Sequence, residues 1–296
     1  MKMGINMKRI FTMVLIALLS CTIACAQGSG SMRPGHEPGH NKPSVNNSQK
    51  TKVGISPTIG KANYSPNVKT FYANGVPFDM VEVRGGTFRM GATSEQGSDA
   101  YDDEKPVHSV TLSGYYIGKT EVTQELWQAV MGSTPSDFIG NDLPVENVSW
   151  NDCQEFISQL NALTGENFRL PTEAEWEFAC RGGNNSRGYK YSGSNYIDNV
   201  AWYEDNSGYK THPVATKSPN ELGIYDMSGN VWEWCTDWYG DYSSGAQTNP
   251  KGPYDGSYRV FRGGSWIYGV RHCRSSLRYG INPTLCDGNL GLRLAL

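Results

Sequence analysis

The sequence contains no run of Lys and Arg interleaved with aromatic residues, and its 26 basic side chains are outnumbered by 29 acidic ones. That excludes the electrostatic footprint of a nucleic-acid-binding protein. No apolar stretch is long enough for a membrane-spanning helix; the run at residues 10–19 falls well short of the roughly 20 residues a bilayer demands. Histidine is scarce, with five in all, and His108, His212 and His272 lack the H-x-x-x-H spacing of a zinc site. A G-x-S-x-G elbow, a phosphate-binding loop, a dinucleotide fingerprint and an internal repeat are all missing.

What is present begins with a targeting pattern. Lys8 and Arg9 precede the apolar run, and Ala24-Cys25-Ala26 fits a signal-peptide cleavage site, so residues 1–26 read as an export leader. The sequence around Cys21 and Cys25 loosely resembles a lipobox, and a lipid anchor stands as the alternative to simple cleavage. Residues 27–75 are rich in Gly, Pro, Ser and Asn and read as a flexible linker, in which His36 and His40 are solvated rather than metal-binding. Of seven cysteines, Cys153, Cys180, Cys235, Cys273 and Cys286 follow the leader. An odd number leaves at least one thiol unpaired or bridged to another chain.

Residues 76–296 carry the periodicities of a folded domain. Alternation at residues 76–83 and 85–91 predicts a hairpin, and residues 107–119 predict a second one around Ser113-Gly114. Thr123 opens a short helix. Cys153, Phe156, Ile157, Leu160 and Leu163 recur at helical spacing after Trp150, with Gly165 placed as the stop. Thr172 and Glu175 form a capping box for a third helix. Strands are expected near residues 259–261 and 290–294. Trp176, Trp232, Trp234 and Trp238 are expected to be packing anchors.

Seven phrases in order, GGTFRMG (85–91), TEVTQELW (120–127), PVENVSWNDC (144–153), RLPTEAEWEFACRGG (169–183), GIYDMSGNVWEWCTDWY (223–239), RVFRGGSW (259–266) and NLGLRLA (289–295), resemble the formylglycine-generating-enzyme, or sulfatase-modifying factor, family. The resemblance implies an α+β, C-type-lectin-like fold that is loop-rich, with two or three helices and small antiparallel sheets. It also implies a calcium site formed by Asp226 and Glu233 with the carbonyls of Gly229 and Val231, an all-oxygen set suited to a hard cation. A weaker second set falls on Asn199, Val200, Asn206 and Gly208, where Asn206 replaces an acid.

The family's oxidases hold copper between two cysteines. Counting from Gly263-Gly264-Ser265, the first slot is Tyr268 and only the second, Cys273, is a cysteine. Copper is therefore not expected, since Cu(I) is selected by paired thiolates, and Cys273 is a catalytic candidate only in the enzyme alternative. Residues 272–278 also resemble the family's C-A-A-R stretch, which implies a Cys180–Cys273 disulfide, with Cys235–Cys273 as the alternative.

Within residues 267–288, a constant-looking set (Arg271, Cys273 to Ser276, Arg278, Asn282 to Thr284) alternates with a miscellany: Ile267, Tyr268, Gly269, Val270, His272, Leu277, Tyr279, Gly280, Ile281, Leu285, Cys286, Asp287 and Gly288. Every residue of the miscellany is reachable from an AAC codon by changing adenines, and Lys, Glu, Gln, Met and Trp are absent from it. The pattern resembles the variable region of retroelement-diversified proteins. The reading is an exported, non-catalytic protein of the periplasm, cell surface or medium that presents these residues to a protein or glycan ligand. The alternative is a formylglycine-generating oxidase that activates sulfatases, or a related oxidoreductase.

Overall fold

A computed structural model describes residues 67–296. The leader and most of the expected linker lie outside the described residues. The domain begins earlier than the composition suggests, because β1 (Val68–Ala73) falls inside the segment read as linker. Its Phe71 and Ala73 are buried, and Phe71 meets Phe168 edge-on at 5.1 Å.

Neither expected hairpin forms. β2 (Val76–Val83) pairs antiparallel with β1 and with β5 (Tyr115–Gly118), whereas β3 (Gly86–Met90) pairs with β4 (His108–Leu112). The chain changes sheet twice at one corner, once between β2 and β3 and once between β4 and β5. Gly85 makes this corner, since a β-carbon there would stand 2.6 Å from Leu112 O and 2.9 Å from Gly114 N. Alternation reports which faces are buried but not which strand is the partner.

The helices agree with their sequence signals. α1 (Gln124–Met131) is capped by Thr123 and stopped by Gly132 in a left-handed conformation. α2 (Trp150–Thr164) starts at a Ser149/Asp152 capping box and ends at Gly165, φ 74°. Its Cys153, Phe156, Ile157 and Leu160 are buried, while Leu163 is exposed. α3 (Glu173–Cys180) carries the Thr172/Glu175 box. Ser or Thr at the N-cap supplies an acceptor to amides that have no partner within the helix.

The second half builds a four-stranded sheet in the order β10-β6-β8-β9, from β6 (Trp232–Trp238), β8 (Arg259–Arg262), β9 (Arg278–Ile281) and β10 (Leu290–Gly291). The short β7 (Gln247–Thr248) joins β4 in the third sheet. Trp176, Trp232 and Trp234 are buried anchors. Trp238 is half-buried beneath Arg259, whose guanidinium lies 3.5 Å from its ring centroid. Among the described residues no helix is long and apolar enough to cross a membrane.

Candidate functional site

Residues 267–288 leave β8 through a short turn of helix (Val270–Cys273), run along the sheet edge as β9 and return to β10. The constant-looking residues at their centre point inward. Arg274 is fully buried and clasps Glu104, Nη2 to Oε1 at 2.5 Å and Nη1 to Oε2 at 2.7 Å, and Ser276 Oγ donates to the same carboxylate. Arg278 holds Glu173 through Nε and Nη2, each at 2.7 Å, and Arg262 adds contacts to Glu173 at 3.1 Å and Glu177 at 2.5 Å. Burial acts to raise the Glu173 pKa, but Arg278 and Arg262 outweigh it and hold the carboxyl below its ordinary value. Hydrogen-bonded pairing is what lets these charges sit in a low-dielectric interior.

Of the thirteen intervening residues Val270 and Leu285 are exposed, ten are half-buried, and the one that is buried is Leu277. It belongs to the main hydrophobic core, because the Leu277 amide turns back to Arg274 O and carries the side chain inward. Leu277 is therefore a core residue and not part of a binding face. Val270 and Leu285 are the most exposed of the set. Tyr268 stands edge-on to Trp232 at 5.5 Å, with His272 at 5.1 Å from Tyr268. Tyr279 lies 5.8 Å from Trp232 and 6.2 Å from His272. These three half-buried rings form an aromatic floor, flanked by Ile267, Gly269, Ile281, Cys286, Asp287 and Gly288. Gly280 has no space for a side chain, since a β-carbon would come within 2.6 Å of Tyr239 Cβ.

The expected calcium loop has an unusual backbone, with Asp226 at φ 59°, Gly229 at 83° and Asn230 at 58°. Asp226 Oδ2 accepts from the Ala215 amide at 2.7 Å, and its buried Oδ1 has no partner. Burial raises the Asp226 pKa to about 6. Glu233 is committed elsewhere: Arg293 meets both of its oxygens, at 2.6 Å and 2.9 Å, and Trp176 Nε1 donates at 2.7 Å. Arg293 is fully buried, and this ion pair supplies its countercharge. Glu121 joins the group by accepting from Asn230 Nδ2 at 2.9 Å and the Val231 amide at 3.2 Å.

In the weaker set, the Asn206 side chain crosslinks its own loop, accepting from the Tyr203 amide at 2.9 Å and donating to Ala201 O at 3.0 Å. The Asn199 carbonyl accepts from the Ser218 amide, Val200 is buried, and Gly208 supplies a left-handed turn at φ 63°. No group of three or more His, Cys, Asp or Glu side chains suited to a metal ion occurs among the described residues.

Neither implied disulfide is formed. Cys153, Cys180, Cys235 and Cys273 are free and buried, whereas Cys286 is not a free thiol. Cys180 Sγ turns to Met227 O at 3.6 Å, and Cys273 packs with Tyr191, Val200, Ala201 and Tyr203. Burial pushes both thiols up to about 12.

Sequence reasoning missed the acids that serve this region: Glu104, Glu173 and Glu177 beneath the face, and Asp137 and Glu146 at its edge. Glu177, set between Trp176 and Phe178, carried a signal, because an acid among large apolar residues implies a buried partner. Glu146 is fully buried, its Oε1 accepts from the Phe138 amide at 3.0 Å, and its Oε2 has no partner.

This arrangement of helices, small sheets and long ordered loops is the C-type-lectin-like fold. Residues 66–296 match the sulfatase-modifying factor enzyme 1-like domain, and the chain belongs to that family. Treponema denticola variable protein 1 is 37% identical with a TM-score of 0.70, over 78% of this chain and 99% of that one. PvdO from Pseudomonas aeruginosa is 26% identical with a TM-score of 0.64, over 79% of this chain and 99% of that one. The formylglycine-generating enzyme of Streptomyces coelicolor is 31% identical, over 73% of this chain and 88% of the enzyme.

Proposed function

We propose that the protein is an exported, non-catalytic binding protein whose outward residues between 267 and 288 form a diversified ligand-binding face. One observation carries the reading: Cys273 to Ser276 and Arg278 are buried beneath the segment, while the miscellany, Leu277 excepted, is half-buried or exposed and shares the surface with Arg271 and Asn282 to Thr284. A scaffold stapled from below by buried ion pairs tolerates varied side chains above. The half-buried aromatic floor suits adaptable recognition, as rigid rings supply contact area at low entropic cost. Likeness to a variable protein supports the same reading.

Oxidase activity is disfavoured on the chemistry of the donors. The first cysteine slot holds Tyr268, and Cys273 is a fully buried thiol whose pKa is pushed up to about 12, so no thiolate pair is available for Cu(I). For calcium, Asp226, whose Oδ1 has no partner, and Glu233, which also pairs with Arg293, form with the carbonyls of Gly229 and Val231 the oxygen set that the family resemblance implies.

The test has two arms. The gene should lie near a reverse transcriptase and an adenine-rich near-copy of its own 3′ end. The purified protein, loaded with Cu(I) and given a sulfatase-derived cysteine peptide, should yield no aldehyde. Aldehyde formation, or a locus without those elements, would sink the reading.

A further inference from the structure

Asp137, Glu146 and Asp287 lie together at the edge of the face. A β-carbon on Gly288 would fall 2.6 Å from Asp137 Oδ2 and 3.7 Å from Glu146 Oε2, so both carboxylates converge over this residue. Asp287 adjoins them: its charge acts on Glu146, and that of Asp137 acts on Asp287. Burial, reinforced by Asp137 and Asp287, pushes Glu146 up to about 8, and burial raises Asp287.

Glu146 is what separates this notch from an ordinary acidic surface. It is fully buried with an unpartnered Oε2 turned, like Asp137 Oδ2, toward Gly288, a state that costs free energy unless a donor or cation completes it. Asp137, by contrast, is exposed and reachable from solvent.

Aromatic groups wall the notch. The Tyr268 hydroxyl senses the Asp287 charge, and the Trp266 Nε1–H donates to Gly288 O at 3.0 Å with Phe138 edge-on to its ring. Beyond them Ile139 is 73% exposed, and Glu204, also exposed, reaches to 3.2 Å from a β-carbon position on Gly269. The Arg271 guanidinium is engaged elsewhere, lying on the Tyr101 ring at 4.2 Å and donating to Asp99 O.

Resting on the binding-face reading above, we propose that the notch formed by Asp137, Glu146 and Asp287 receives an arginine side chain of a protein ligand. A guanidinium is planar, so it stacks on Tyr268 while forking onto carboxylates, a combination that a compact ammonium matches less well. Asp137 and Ile139, which are not among the diversified positions, then provide a constant anchor beside a changeable surface.

The experiment uses N-acetyl-arginine amide as probe and follows the Trp266 indole N–H resonance of the full chain by NMR, with the citrulline analogue as control. The arginine probe should shift that resonance saturably, and the citrulline probe should bind about tenfold more weakly or worse. Asp287→Asn should weaken the arginine probe by a similar factor, and so should Asp137→Asn, whose exposed position leaves the fold intact. Equal binding of the two probes would indicate a neutral surface suited to a glycan and would overturn the proposal. Displacement of the arginine probe by calcium in the wild type but not in Asp137→Asn would assign the notch to a metal ion and also overturn it. Failure here leaves the binding-face reading standing, since that reading is judged at the gene locus and by the aldehyde assay.

Discussion

The Arg274 guanidinium and the Glu104 carboxylate meet through two charge-assisted hydrogen bonds, of 2.5 Å and 2.7 Å, with both side chains fully buried. They join a turn near residue 104 to the middle of the proposed binding segment. Truncating one partner leaves a buried charge unpaired, so Arg274→Ala should cost about 3–5 kcal/mol of unfolding free energy. Arg271→Ala, three residues away and half-buried, should cost less than about 1 kcal/mol. Chemical denaturation of the two variants checks the difference; equal losses would contradict the inward and outward division of the segment.

That division makes a second prediction within the miscellany itself. Leu277→Ala should lose about 2–5 kcal/mol, as for a leucine in a close-packed core. Val270→Ala and Leu285→Ala, on the exposed side, should stay within about 0.5 kcal/mol of the parent. Thermal melts resolve this, since each kcal/mol moves Tm by about 2–4 °C in a domain of this size.

The buried Glu146 predicts a dependence on pH. Its folded pKa, about 8, lies above that of the unfolded chain, so the folded state holds this proton more tightly. The resulting stability is fully present below the ordinary glutamate range and is lost as pH rises through about 8. Between pH 5 and 8 the parent should therefore lose more Tm than Glu146→Gln does. Parallel slopes for the two proteins would refute the assignment.

Calcium makes a fourth prediction. Added calcium should raise Tm in the parent, because a ligand that binds only the folded state stabilises it by mass action. Asp226→Asn should abolish the rise, while Asn206→Ala should retain it, since Asn206 spends its side chain on Tyr203 and Ala201. Loss of the effect in Asn206→Ala with retention in Asp226→Asn would reverse the order of the two sites.

Much of this was legible in the sequence because the signals were local. Caps at Thr123 and Thr172 and the stop at Gly165 each act within a few residues, and all three helices follow from them. Strand pairing was not legible, because β2 and β3 show the same alternation whether they pair with each other or separate at Gly85. The outward positions of residues 267–288 were read from residue type, which cannot tell a surface leucine from Leu277. The pairing of Glu233 with Arg293, sixty residues away in sequence, was not legible either. Buried ion pairs join distant segments, and one sequence carries no mark of which acid meets which base.

The central claim is that residues 267–288 present a diversified face on a constant base, and sequencing this gene's 3′ end across many cells of one population tests it most directly. The account predicts substitutions at adenine positions of the codons for half-buried and exposed residues such as Tyr268, Val270, His272, Tyr279, Ile281 and Leu285. It predicts none at Arg274, Ser275, Ser276 or Arg278. An invariant segment, or changes spread evenly over buried and exposed codons, would contradict it.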